Sequence, residues 1–408
     1  MQTRRDFLKV SAGGLLLAGG WRGTELAAGE SLGPATLPSG ALQSAQLAAL
    51  PGKLPLIKKS FRPPNFETPV RFFNEAFTPN DAFFVRYHLA AIPQVSRQNW
   101  KLAVGGDALD KPFEVTYEDL SRDFEQVEVA AVCMCSGNRR GLSQPHVPGV
   151  QWGHGAIGNA KWRGVRLRDL LARAGVRKDA LEIVFDGADR GALDKTPDFV
   201  KSIPAWKAMD ENTLVALEMN GEKLPHWNGF PARVVVPGWT ATYWMKHLTS
   251  IAATAKPYQG FWMNPAYRIP KGKFPIVDRF VSQETEANTP ITEMVVNSLV
   301  TNLEEGQKFA LGQEITVAGV AWDGGFGIAS VDVSEDGGRS WRAAQFAPDL
   351  GRFSWRQWSH RFTPQRAGNA TFMAKATNRA GATQTLDLIF NPAGYHNNVV
   401  QRINIEIT

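Results

Sequence analysis

The sequence predicts an α+β first domain followed by an all-β sandwich, on three observations. Apolar runs at 129–132, 181–185 and 233–236 read as buried strands, and Leu167, Leu170, Leu171 and Ala174 fall at helical spacing within 161–176. From Pro290 the texture changes to short alternating segments at 315–320, 330–333 and 371–376, separated by Gly, Asp and Asn. Among them Ser334-Glu335-Asp336-Gly337-Gly338 is a strong hairpin signal, and the spacing suggests an immunoglobulin-like sandwich. The length of 408 residues leaves room for two or three domains and a substantial core. The expected divisions are a leader over 1–30, an arm over 31–64, the first domain over 65–285 and the sandwich over 286–408.

Composition excludes several classes. With 43% hydrophobic and 21% charged residues, the chain is an ordinary globular protein. Its net charge of +6 is spread out, and no Lys/Arg block points to nucleic acid. Such a balance suits a soluble surface, or attraction of a small anion or an acidic partner. Two cysteines do not make a disulfide scaffold.

The leader carries Arg4-Arg5 with Phe7-Leu8 behind them, an apolar run over 10–20, and small residues at Ala27, Ala28 and Gly29. It resembles a twin-arginine export signal, which predicts the periplasm; an ordinary basic N-terminus is the alternative. The apolar run is too short for a stable membrane anchor. The arm is rich in Pro, Gly, Ala and Leu and reads as extended.

In the first domain, 80–88 reads as an aromatic strand ending in a cationic pair, Arg86 and His88, two apart and on one face. The stretch Ala130 to Gly141, AAVCMCSGNRRG, then holds both cysteines beside two arginines. A thiolate next to guanidinium groups is favoured, and the thiolate is the form that binds metals. Burial as small hydrophobes, above all for Cys133, and a strained Cys133–Cys135 disulfide are the alternatives. Two cysteines without a nearby histidine pair fall short of a structural zinc site. Trp152 reads as a core aromatic, and Asp189 as a turn residue after the 181–185 strand. No C-x-x-C-H haem site and no G-x-G-x-x-G dinucleotide site occurs.

Cys135-Ser136-Gly137-Asn138-Arg139-Arg140 resembles the C-x-G-N-R-R signature of the sulfite oxidase family of molybdenum enzymes. Phe84-Val85-Arg86-Tyr87-His88 resembles that family's F-V-R-N-H, with Tyr87 in place of asparagine. The block 151–157 resembles W-x-x-G-A-I, 185–189 resembles F-E-G-x-D, and 219–225 resembles M-N-G-x-x-L-P. The run 229–238 resembles G-F-P-V-R-V-V-V-P-G, preceded by Asn228 where relatives have histidine.

The resemblance implies a sulfite-oxidase-type domain carrying molybdopterin-bound molybdenum. Cys135 would be the only protein ligand to the metal, and soft sulfur suits it. Phe84, Val85, Arg86, Tyr87, His88, Asp189, Asn228, Trp244 and Met245 would hold the pterin, and Arg233 and Lys246 its phosphate. Arg86 and Arg139 would hold the substrate anion, Trp152 would shape the pocket, Tyr267 would sit by the reactive oxygen, and His88 would tune the site or carry protons.

The implied reaction is oxidation of sulfite to sulfate, with electrons passed to a c-type cytochrome as subunit or acceptor. In relatives the C-terminal domain makes a homodimer, although some bacterial members pair with a different subunit. The molybdenum subunit of a sulfane dehydrogenase and a periplasmic methionine sulfoxide reductase are alternatives, the second of which lacks the sandwich. A binding or adhesion protein would explain the sandwich but not the cysteine loop.

Overall fold

The computed structural model describes residues 31–32, 45–272 and 288–408. The leader, with its twin-arginine reading, lies outside the described residues.

Three sheets build the first part of the chain. A meander of consecutive antiparallel strands ends in Asn65–Glu67 and Val85–Arg86. A second sheet runs in the order Lys201–Pro204, Glu182–Gly187, Leu248–Thr254, Lys101–Gly105, Phe113–Thr116, with one parallel pair, Leu248–Thr254 on Lys101–Gly105. The third sheet runs Glu222–Lys223, Leu214–Met219, Ile157–Arg166, Gln126–Met134, and Arg233–Val235 also pairs with Leu214–Met219. The helices are short. Tyr117–Asp123 starts on a capping box in which Thr116 and Asp119 satisfy each other's backbone N–H.

The strand Gln126–Met134 positions the site through its period of two. Ala131, Cys133 and, just past its end, Cys135 face the first core, while Val132 and Met134 join a separate cluster with Met294, Leu299, Trp322 and Trp355. One strand thus lines the cavity with one side and seals the join to the C-terminal part with the other.

Two expectations are corrected here. The segment 161–176 is strand as far as Arg166, and only Leu167–Arg173 is helical. Ladders on both sides of Ile157–Arg166, with Lys161 and Arg163 exposed around buried Trp162, let the period of two prevail. Of 80–88, only Val85–Arg86 is strand. The carbonyls of Asn80 and Phe83 instead accept from Lys53 Nζ at 2.5 and 3.1 Å, which holds that stretch as a turn.

The C-terminal part is two facing sheets. Asn297–Val300, Ile315–Trp322, Arg356–Phe362 and Gln345–Phe346 form one, in that order. Gln307–Phe309, Arg402–Ile407, Gly368–Asn378, Ile328–Ser334 and Arg342–Ala343 form the other. Val317, Ala321 and Trp358 from the first pack against Val331, Phe372 and Ile405 from the second. The expected hairpin joins Ile328–Ser334 to Arg342–Ala343, and the Asp336 carboxylate accepts from the N–H of Arg339 and Ser340 in its turn.

Candidate active site

One cavity, with an empty volume of about 640 Å³, gathers residues from distant parts of the chain. Cys133 and Cys135 enter from the third sheet, Phe84, Arg86, Tyr87 and His88 from the first, and Asp189 from the loop after Glu182–Gly187. Asn228, Arg233, Trp244, Met245 and Lys246 come from the segment around Arg233–Val235, and Tyr267 closes the set.

Cation placement dominates the electrostatics. Arg233 is buried beneath the cavity, donating from Nη1 to Asn228 O at 2.9 Å and from Nη2 to Trp244 O at 3.1 Å. Burial lowers the Lys246 ammonium pKa well below its usual value, with Arg233 and Arg86 acting in the same sense and Asp189 opposing. Its Nζ donates to Arg86 O at 2.6 Å and lies over the face of the Tyr87 ring. Among the described residues, Arg86, Arg233 and Lys246 make no ion pair within 4 Å. The Nε atoms of Arg86 and Arg233 and the Ser136 hydroxyl are buried without a protein partner. Buried cations without ion-pair partners are costly, so the site is built for an anionic group.

The two thiols differ. Both are free, and burial pushes the Cys133 thiol up to about 11 although Arg233 opposes this, so Cys133 is a neutral thiol at neutral pH. Cys135 begins the tight turn in which Asn138 N–H donates to its carbonyl at 2.9 Å. Gly137 in that turn leaves room for Arg140: a Cβ there would lie 2.7 Å from the guanidinium and displace it.

His88 and Tyr267 form a polar and aromatic node. Their Nε2 and hydroxyl are hydrogen-bonded, and the His88 ring stacks on Phe199 at 3.8 Å. Burial, then Arg86, Lys246, Lys201 and Arg140, hold the His88 pKa well below 6.5. Burial raises that of Tyr267, which Arg86 opposes by charge and hydrogen bond. Tyr87, in the position of the family's asparagine, shares a 2.7 Å hydrogen bond with His247 Nε2. Asn228 donates from Nδ2 to Phe84 O at 3.2 Å and accepts from Lys53 Nζ at 2.6 Å.

Three expected site residues do not line the cavity. Arg139 turns away: its Nη1 donates to Asn297 Oδ1 at 2.8 Å and its Nη2 to Val399 O at 2.5 Å, so it ties the cysteine loop to the C-terminal sheets. Its backbone φ of 68° reverses the chain there, which sends neighbouring Arg140 elsewhere. Trp152 is fully buried in the first core, and Val85 packs with Leu50, Leu56 and Phe66. Sequence reasoning missed Phe199 and Lys201. It gave no role to Arg140, whose guanidinium packs on the Tyr395 ring. Lys201 is fully buried with Nζ 4.9 Å from the Tyr267 ring centre, and its alternation within Lys201–Pro204 carried no sign of this.

Residues 88–262 match the oxidoreductase molybdopterin binding domain, and residues 288–408 match the Mo-co oxidoreductase dimerisation domain. The mitochondrial sulfite oxidase of Homo sapiens is 33% identical over 375 residues, covering 88% of this chain and 67% of that protein. The sulfite oxidase of Arabidopsis thaliana is 32% identical over 317 residues, covering 74% of this chain and 79% of its own. This chain belongs to the sulfite oxidase family.

Its cofactor is therefore molybdopterin-bound molybdenum, and the cavity fits that group: a cysteine sulfur for the metal, with Arg233 and Lys246 lacking carboxylate partners for a phosphate. The Drosophila melanogaster mitochondrial sulfite oxidase is 34% identical over 369 residues, of which this chain spans 62%. Among solved structures, the sulfane dehydrogenase SoxCD from Paracoccus pantotrophus superposes with a TM-score of 0.72 at 26% identity, covering 86% of this chain and 88% of that one.

Proposed function

We propose that this sulfite oxidase family member oxidises sulfite to sulfate and passes the electrons to a c-type cytochrome. The observation that carries the reading is the cavity itself, where the Cys135 sulfur sits among cations without ion-pair partners beside the His88–Tyr267 pair. Bound through Cys135, the molybdenum cofactor supplies the two-electron redox change. The chain's own groups do the rest. Arg86 holds an oxyanion by charge-assisted hydrogen bonds while touching the Tyr267 hydroxyl. Neutral His88 shares a hydrogen bond with that hydroxyl and so fixes where the phenol oxygen points. Apolar Phe199 stacked on His88 excludes water from its face.

A second reading, oxidation of a sulfane sulfur, is favoured by the SoxCD likeness over 86% of the chain. The paired Arg4-Arg5 of the leader supports export to the periplasm. We read the C-terminal domain as immunoglobulin-like, because its sheets follow the sequence orders first-third-seventh-sixth and second-ninth-eighth-fourth-fifth. The matched dimerisation domain supports association through this part.

Cytochrome c reduction by the molybdenum-loaded protein tests the substrate. Sulfite-dependent reduction without thiosulfate-dependent reduction upholds the first reading, and the reverse upholds the second. Turnover with dioxygen alone, leaving cytochrome c oxidised, removes the cytochrome from the proposal.

A further inference from the structure

We propose that Tyr395, supplied by the C-terminal domain, is a positioning residue that sets both the Tyr267 phenol and the Arg140 guanidinium. The Tyr395 ring stacks on Tyr267 with centroids 5.6 Å apart and planes 13° from parallel. The same ring carries the Arg140 guanidinium, whose Cζ is 5.2 Å from its centroid. One aromatic side chain from the second domain therefore touches two groups of the first.

Both groups need such a hold. Tyr267 has a φ of 61°, a left-handed conformation that a bulky residue does not adopt by preference. Its carbonyl accepts from Ile291 N–H at 2.9 Å, Arg86 and His88 meet its hydroxyl, and Tyr395, Trp262 and Lys201 Nζ pack on its ring. Arg140 has no ion pair among the described residues. Its Nε donates to Ala393 O at 2.7 Å, and it is packed against Gly137, Gly149 and Gly394, where a Cβ would come within 2.9 Å of its side chain. Glycines on three sides admit the guanidinium, Val150 O accepts from its Nη1 at 3.4 Å, and Tyr395 gives it an aromatic face.

Tyr395 is itself anchored. Its N–H donates to Asn391 Oδ1 at 3.0 Å, and Asn391 Nδ2 donates to its carbonyl at 2.7 Å. The ring is thus held by a clamp within the second domain while its face meets Tyr267 of the first domain's site. Losing the ring releases phenol and guanidinium together.

This inference rests on the reading that the substrate is a sulfur oxyanion. The test uses the full, molybdenum-loaded protein and its variants Tyr395→Leu and Tyr395→Phe. Steady-state sulfite kinetics and calorimetric titration with sulfate are measured, with molybdenum content and Tm recorded for each. Tyr395→Leu should lower kcat/KM about tenfold, mainly by raising KM, and weaken sulfate binding by a similar factor at unchanged molybdenum content. Tyr395→Phe, which keeps the ring, should restore both to within about threefold of the parent. If Tyr395→Leu does not fold, Asn391→Ser loosens the same ring through its backbone and should weaken sulfate binding in the same direction. Unaltered KM and sulfate affinity in the ring-deleted or clamp-deleted variant would overturn the proposal, as would a Tyr395→Phe protein as impaired as Tyr395→Leu. Because sulfate binding is read without turnover, a parent that ignores sulfite would sink the sulfite reading alone. Loss of sulfate binding in Tyr395→Leu would still uphold the role of Tyr395.

Discussion

His88 Nε2 and the Tyr267 hydroxyl are hydrogen-bonded although 179 residues of chain separate them. The bond joins the end of the N-terminal sheet to the loop that leaves the first core. Burial and four surrounding cations keep the imidazole neutral, so the pair meets as an uncharged phenol and an uncharged ring.

The first prediction follows from that sign. A histidine held well below 6.5 stays neutral as the pH falls through 6.5, so kcat at saturating sulfite should remain flat from pH 8 to 6. An acid limb centred near 6.5 would show that the imidazole is not held as described. His88→Phe removes the hydrogen bond to the Tyr267 hydroxyl and should lower kcat by roughly one to two decades while leaving the fold intact.

Cysteine substitutions should separate the two thiols. Cys135→Ser should abolish turnover and lower bound molybdenum while the protein stays folded by circular dichroism. Cys133→Ser should retain metal and most activity, since its thiol is neutral at working pH. The opposite pattern would move the ligand to Cys133.

Arginine substitutions should divide by partner. Arg86→Met removes a group from the site, and loss of a charge-assisted hydrogen bond of about 1.5–3 kcal/mol predicts roughly ten- to hundredfold lower kcat/KM; Arg140→Met, beside the tyrosines, should lower kcat/KM less. Arg139→Met should instead act on stability, lowering Tm by several degrees, because its partners Asn297 and Val399 belong to the C-terminal domain. A raised KM for sulfite in Arg139→Met without a change in Tm would return that residue to the substrate site.

Stability should fall in acid. Burial lowers the pKa of His247 to about 3, and likewise that of His396 to about 3, against an unfolded value near 6.5. Both are depressed, so the unfolded chain binds the extra protons: stability is full above about pH 6.5 and is lost as pH falls towards 3. Each contributes a slope of about 1.4 kcal/mol per pH unit in that window. His247→Gln should flatten the pH dependence of the urea midpoint by about one proton's worth, and an unchanged slope would contradict the burial of its neutral form.

Much of the site was legible in the sequence, because its chemistry is carried by local runs. Cys135 and its glycine turn, the 84–88 block, and Arg233 with Lys246 each sit in a contiguous stretch, and the structure draws these stretches around one cavity. The two-part architecture was legible for the same reason, since alternation and turn residues are local signals. The chain's choice between Arg139 and Arg140 was not. Adjacent residues share a motif, and only the left-handed backbone at Arg139 decides which guanidinium meets the second domain and which stays by the tyrosines. Within 161–176, residues 161–166 belong to the strand Ile157–Arg166 rather than to the expected helix, because ladder partners far away in sequence pair on both sides and override local spacing. Tyr395 carries no motif at all. Its meaning comes from stacking on a ring 128 residues earlier, 395 − 267, and from packing between two domains, which no local pattern encodes.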